Sequence, residues 1–115
     1  MELARSWARG EIKWADARMA AFAANFAARD LSDAAREAAY AAGQAGAVPH
    51  VAAHELGAAA YAIRAARAAA PKEEREEAGR QECRWQRAQL PNEIRSLVLD
   101  DQRIRNKACW SVFDC

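Results

Sequence analysis

Alanine dominates this sequence, with 32 alanines among 115 residues. Alanine is the strongest helix former because it loses no side-chain entropy in a helix. Strands are built mainly from β-branched and aromatic residues, and the chain has only four valines and four isoleucines. This composition excludes a β-sandwich or a Rossmann-type sheet. It predicts one all-α domain over residues 1–115, an alanine-rich bundle or array of about five to six closely packed helices.

Glycines and prolines mark where the predicted helices begin and end. The expected helical segments are residues 2–9, 11–29, 33–45, from Pro49 to about Ala70, from Pro71 to the break at Leu90–Pro91, and from Asn92 onward. The last segment carries an apolar stripe formed by Ile94, Leu97, Val98, Ile104 and Ala108. Residues 109–115 are too apolar to remain in solvent, so we expect this tail to pack back on the body.

Large aromatic side chains are few, and their positions predict where helices meet. The second helix carries Trp14, Met19, Phe22 and Phe26 at steps of three to five residues, which places them on or near one face. The four tryptophans are Trp7, Trp14, Trp85 and Trp110. In an alanine-rich fold we expect such rings to fill gaps between helices. Any ring that stays exposed is instead a candidate binding anchor.

The charges are balanced, with 17 Lys and Arg against 16 Asp and Glu. A protein that grips DNA needs a concentrated basic surface, and no segment supplies one, so no direct nucleic-acid partner is expected. A bilayer-spanning helix needs roughly 18 consecutive apolar residues, and Arg, Glu or His interrupts every apolar run. The acidic run Lys72–Glu77 predicts a polar helix at the surface.

The three cysteines, Cys83, Cys109 and Cys115, form neither a C-x-x-C pair nor a zinc-finger spacing. Their odd number, together with the lack of a recognisable signal peptide, predicts reduced thiols and a cytoplasmic chain.

No complete catalytic motif occurs in the sequence. His54–Glu55 resembles the start of H-E-x-x-H, but Ala58 stands where the second histidine is required. A P-loop, a G-x-S-x-G elbow and a G-x-G-x-x-G fingerprint are also missing. The sequence therefore predicts a protein that is not an enzyme, with no catalytic residues and no cofactor.

His50 and His54 lie four residues apart on one predicted helix, which puts both imidazoles on the same side. Two interpretations are open. A metal site would need a third ligand, such as Cys83 or a carboxylate from another helix. Alternatively, the two histidines share a helix–helix contact with Gly57 and Tyr61, which fall on the same face.

Three parts of the chain resemble a known family. They are Trp7–Ile12, the segment Pro49–Ala62, and a tail with Leu90–Pro91, Val98–Arg103 and Trp110–Phe113. These stretches are similar to immunity proteins of bacterial polymorphic toxin systems, in the group numbered five. The resemblance implies an all-helical protein that binds a cognate toxin and neutralises it. Related chains carry a further helix before the Trp7–Gly10 element, so we expect either a shortened chain or a second subunit that covers the exposed face.

The immunity interpretation implies a protein toxin as partner, bound by occlusion. If the toxin is a nuclease, its basic cleft should meet a carboxylate patch, because complementary charge speeds encounter. The candidate partner-binding residues are Glu73, Glu74, Glu76, Glu77, Asp100, Asp101 and Trp110. Two alternatives stay open, namely a helical metal-binding or small-molecule-binding protein that uses His50 and His54, and a structural homo-oligomer such as a homodimer.

Overall fold

The computed structural model describes residues 2–115, and this part of the chain contains six α-helices and no strand. Their bounds are α1 Glu2–Ala8, α2 Trp14–Ala27, α3 Asp33–Ala47, α4 His54–Ala69, α5 Arg75–Gln89 and α6 Asn92–Cys109. Short 3-10 turns at Ala28–Asp30 and Lys72–Glu74 follow α2 and precede α5. The predicted all-α class is confirmed.

Local chemistry explains several helix ends. At the start of α2, the backbone N–H of Lys13 donates to the Asp16 carboxylate at 3.2 Å, which closes the first turn. At the end of α6, Trp110 and Ser111 adopt left-handed backbone angles with φ of 53° and 51°. The Ser111 N–H then donates to the Asn106 carbonyl at 3.1 Å. This left-handed turn reverses the chain and sends the tail back toward α5.

The helices pack mainly on their neighbours in sequence. Contacts run from α2 to α3, from α3 to α4 and from α4 to α5, while α1 lies against α2 and α3, and α6 touches α4. The result is a flat molecule with extents of 43 × 37 × 22 Å. An array of this kind covers each inner helix on two sides and leaves broad outer faces in solvent.

Small residues form the contact between α2 and α3. Ala17, Ala21 and Ala28 are buried on the α2 side, and Gly43 and Gly46 are buried on α3. A Cβ atom at Gly46 would lie 3.2 Å from the Ala21 Cβ and 3.3 Å from the Ala17 carbonyl oxygen. The two helices therefore approach closely because these positions carry almost no side chain.

A second cluster of buried side chains lies where α4, α5, α6 and the tail meet. It consists of Leu56, Ala60, Cys83, Val98, Cys109, Val112 and Phe113. Val112 and Phe113 belong to the tail, so the prediction that this segment packs back on the body is confirmed. Leu56 and Phe113 are the largest of these side chains, and they are 1% and 4% exposed.

The prediction that all three thiols are reduced was wrong for this structure. Cys83 and Cys115 form a disulfide across 32 residues of sequence, and Cys109 is a buried free thiol. The pairing depends on the left-handed turn at Trp110 and Ser111, which brings the last residue to α5. Spacing along the chain gives no sign of that reversal.

Three further expectations also require correction. The fourth helix begins at His54 rather than near Pro49. Of the predicted α6 stripe, Val98 is buried, whereas Ile94, Leu97 and Ile104 are exposed. Trp14, Trp85 and Trp110 are about half exposed, so none of these three rings is buried in a gap between helices. No helix within residues 2–115 has the length and apolarity that crossing a bilayer would require.

Candidate partner-binding surface

Helix α2 turns its small side chains inward and its large side chains outward. Ala17 and Ala21 are 0% and 3% exposed, whereas Met19, Phe22 and Phe26 are 67%, 52% and 65% exposed. With 3.6 residues per turn, Trp14 and these three residues fall within an arc of about 140°. The close contact with α3 requires alanines on the inner side, so the large residues have no place in the core.

Two arginines lie over these exposed rings. The guanidinium carbon of Arg18 is 5.0 Å from the centre of the Phe22 ring and 6.0 Å from that of Trp14, and the guanidinium carbon of Arg29 is 5.4 Å from the Phe26 ring. These distances permit cation–π attraction. We call this surface the α2 aromatic face; it comprises Trp14, Arg18, Met19, Phe22, Phe26 and Arg29.

His50 extends the α2 aromatic face, and His54 does not. The His50 ring stacks on Trp14 with 5.7 Å between ring centres and an angle of 17° between the planes. His54 is the first residue of α4, and its Nδ1 is 2.7 Å from the side-chain oxygen of Gln44. The prediction that both histidines lie on one helix was wrong, since His50 precedes α4. Within residues 2–115, no group of three or more His, Cys, Asp or Glu side chains could hold a metal ion.

Most of the predicted acidic residues are paired with arginines of the same chain. Glu76 binds Arg67, Asp100 binds Arg103, and Asp101 binds Arg105. Glu77 accepts hydrogen bonds from Arg80 at 3.0 Å and from Arg84 at 2.8 Å, and these bonds lower its pKa.

Glu73 and Glu74 are different, because within residues 2–115 they form no ion pair. They lie in the 3-10 turn before α5, whereas Asp100 and Asp101 lie on α6. The structure thus distributes the six predicted carboxylates over the 3-10 turn, α5 and α6, and leaves two of them unpaired.

Trp110, the remaining predicted partner-binding residue, is half exposed, and its ring packs against two side chains of α4, Tyr61 and Arg64. Its ring meets Tyr61 edge to face at 5.4 Å, and the Arg64 guanidinium lies 4.7 Å from its ring centre. Arg64 also pairs with the buried carboxylate of Glu37, with Nε 2.9 Å from Oε2. These contacts hold Trp110 in place at the end of α6.

A cleft of about 510 Å³ lies beside Trp110, between α4, α5 and the tail. Arg64, Arg67 and Arg80 line it, and each of them pairs with a glutamate: Glu37, Glu76 and Glu77, respectively. The cleft therefore offers paired charges to a ligand, in contrast to the α2 aromatic face, where the arginines contact only rings.

Comparison with known proteins identifies the family of this chain. Residues 1–93 match the sequence model of a family described as Imm-5 like putative immunity protein. Neither a curated protein nor a solved structure is similar enough to match. The matched residues include α1 to α5 and so contain the α2 aromatic face, and α6 lies almost wholly beyond them. The chain belongs to the Imm-5-like immunity protein family.

Proposed function

We propose that this protein binds a cognate bacterial toxin and neutralises it by covering a surface that the toxin needs, without catalysing a reaction itself. Family membership supports an immunity role in general. The observation that carries the proposal further is the α2 aromatic face, where three large apolar side chains are more than half exposed on one helix.

The composition of this face is typical of a protein interface. Trp and Arg are enriched among the residues that dominate binding energy, and exposed apolar patches commonly mark partner sites. The α2 helix is also held rigidly, because Ala17 and Ala21 pack directly against Gly46 of α3. A rigid surface loses little conformational entropy on binding, which favours affinity.

The acidic residues are a weaker candidate for the toxin contact. A nuclease toxin would present a basic cleft, and the sequence offered six carboxylates to meet it. Of the six, only Glu73 and Glu74 have no arginine partner within residues 2–115 and could pair with a basic toxin surface. Arginines of the same chain pair with the other four. We therefore propose the α2 aromatic face, rather than the acidic run, as the toxin-binding surface.

Co-expression in a bacterial host tests this function. The toxin encoded by the adjacent gene is induced together with the wild-type protein, with a Phe22→Ala/Phe26→Ala variant, or with a Leu3→Ala/Trp85→Ala variant. The second variant is a matched control, since it removes two exposed apolar side chains that lie outside α2 and α6. We expect growth with the wild type and the control, and loss of protection with the α2 variant.

Two results would count against the proposal. A toxin that stays lethal beside the wild-type protein contradicts the immunity function. Full protection by Phe22→Ala/Phe26→Ala contradicts the choice of the α2 aromatic face.

We also propose that a second copy of the chain packs on α6. Ile94, Leu97 and Ile104 are exposed there at spacings of three and seven residues, which form a single stripe. Glu93 lies in the first turn of α6 and Lys107 in its last turn, and neither forms an ion pair within residues 2–115. An antiparallel pair would set Glu93 of each copy beside Lys107 of the other.

A cytoplasmic location, expected from the cysteine count, requires Cys83 and Cys115 to be reduced in the cell, because the cytoplasm keeps thiols reduced. Alkylation of protein taken directly from cells counts the free thiols. Three modified cysteines would support the cytoplasmic proposal. A single modified cysteine, Cys109, would contradict it and indicate an oxidising compartment.

A further inference from the structure

Arg18 and Arg29 differ from the other arginines in what they contact. The chain has 14 arginines, and 12 of them have an oxygen partner within residues 2–115. Nine pair with carboxylates: Arg5, Arg9, Arg36, Arg64, Arg67, Arg80, Arg84, Arg103 and Arg105. Three donate to backbone carbonyls: Arg75, Arg87 and Arg95. The two that contact only aromatic rings both lie on the α2 aromatic face.

The nearby carboxylates do not neutralise these two arginines. The Asp16 carboxylate accepts the N–H of Lys13 at the start of α2. Asp30 follows Arg29 in the 3-10 turn but forms no ion pair among the described residues. Two guanidinium groups, separated by 11 residues or roughly 16 Å of helix rise, therefore present free charge beside the exposed rings.

A partner that covers this face must supply negative charge. A guanidinium that is buried without a counter-charge is strongly unfavourable, so an apolar partner surface alone would bind poorly. The face of each guanidinium lies toward a ring, while its N–H edge can still donate two parallel hydrogen bonds to a carboxylate. Phe22, Phe26 and Met19 between the two arginines require apolar contact, which a nucleic-acid backbone does not offer.

We propose that the α2 aromatic face binds an apolar protein surface flanked by carboxylates, with Arg18 and Arg29 each receiving one of them. This inference rests on the proposed function, because it takes the toxin as the partner. The toxin surface that contacts this face is therefore expected to be acidic. A contact between carboxylates of this protein and a basic nuclease cleft would have the opposite charges.

Variants with reversed charge at Arg18 and Arg29 distinguish an acidic toxin surface from a basic one. The probe is the purified toxin encoded by the adjacent gene, in a catalytically inactive form, and the dissociation constant is measured by titration calorimetry. The variants are Arg18→Gln/Arg29→Gln and Arg18→Glu/Arg29→Glu. The control is Lys72→Glu/Arg75→Glu, which changes the net charge by the same amount as Arg18→Glu/Arg29→Glu at two exposed positions outside α2 and α6. Helix content, measured by circular dichroism, should match the wild type because none of the changed side chains is buried.

We expect neutralisation to weaken toxin binding about 10-fold and charge reversal to weaken it about 100-fold or more. The Lys72→Glu/Arg75→Glu control should stay within about 2-fold of the wild type, as expected for charges outside the contact. Tighter or unchanged binding by Arg18→Glu/Arg29→Glu would overturn the acidic-partner inference while leaving the immunity function standing. A wild-type protein that does not bind the toxin would instead overturn the proposed function, and this inference with it.

Discussion

Two glutamates of this protein lie in opposite electrostatic environments. Glu55 borders an apolar groove of about 350 Å³ that is also lined by Trp7, Val48 and Pro49. Desolvation raises the pKa of Glu55, the negative charge of Asp101 raises it further, and Arg105 acts in the opposite direction. Glu77, in contrast, accepts hydrogen bonds from Arg80, Arg84 and Gln81, which lower its pKa. The two residues should therefore affect stability in opposite ways.

Replacement of each by glutamine should change stability with opposite sign at pH 7. A raised folded-state pKa penalises the ionised carboxylate, so Glu55→Gln should stabilise the protein. A lowered folded-state pKa reflects favourable bonds to the carboxylate, so Glu77→Gln should destabilise it. Urea unfolding of the three proteins between pH 7 and pH 3 measures both effects.

The pH dependence is the stronger part of this prediction. The stability that Glu55→Gln gains over the wild type should shrink as the pH falls through the raised pKa of Glu55. It should vanish below about pH 4.5, where the glutamate is protonated in the unfolded state as well. The stability that Glu77→Gln loses relative to the wild type should persist down to about pH 4.5. This loss should then disappear as the pH falls through the lowered pKa of Glu77. Parallel pH profiles for the two variants would contradict these assignments.

At the scale of single helices, the sequence predicted where α2 lies but not which way it faces. The spacing of Trp14, Phe22 and Phe26 correctly indicated a helix with one aromatic face. The usual rule that large apolar residues lie inside then predicted the wrong orientation. In this chain the inward face is set by alanines at Ala17, Ala21 and Ala28, because glycines on α3 allow the backbones to approach. The repeating alanines and the Gly43–Gly46 pair are the signal that could have shown this.

The candidate site was less predictable than the helices for a related reason. Whether a charged side chain is free depends on residues distant in sequence, such as Arg67 of α4, which pairs with Glu76 of α5. Pairs within one helix, such as Asp101 with Arg105, follow from their spacing of four residues. Arg18 and Arg29 differ from the other arginines only in the folded structure, where the other 12 have oxygen partners.

The orientation of α2 can be checked by two neighbouring substitutions. Ala21→Leu forces a large side chain into the close contact with α3 and should cost about 1–3 kcal/mol of unfolding free energy. Phe22→Ala removes a larger side chain from the solvent-exposed face and should cost less than about 1 kcal/mol. Denaturant unfolding, followed by circular dichroism, measures both. If Phe22→Ala were the more damaging change, α2 would have to face the other way.

For the molecule as a whole, the Cys83–Cys115 disulfide fastens the tail to α5 and closes a loop across 32 residues. A cross-link of this span limits the freedom of the unfolded chain and should stabilise the folded state by about 3–4 kcal/mol. We expect Cys115→Ser and the reduced wild type to lose similar amounts of stability in urea unfolding. Addition of reductant to Cys115→Ser is the control and should change nothing further. Equal stability of the oxidised and reduced wild type would contradict this role.

The exposed stripe on α6 makes a prediction about assembly. Isolated exposed apolar residues are common, but Leu97 and Ile104 are 68% and 82% exposed on one face of a helix whose charges can pair with those of an antiparallel copy. We expect the wild type to be a dimer in light scattering over a range of concentrations. Leu97→Glu/Ile104→Glu should be a monomer, because burying two glutamates in each copy is unfavourable. Met19→Glu/Phe22→Glu, which makes the same change on α2, should remain a dimer. A wild type that stays monomeric at the highest concentration, or a dimer lost only in the α2 variant, would show that α6 is not the contact between copies.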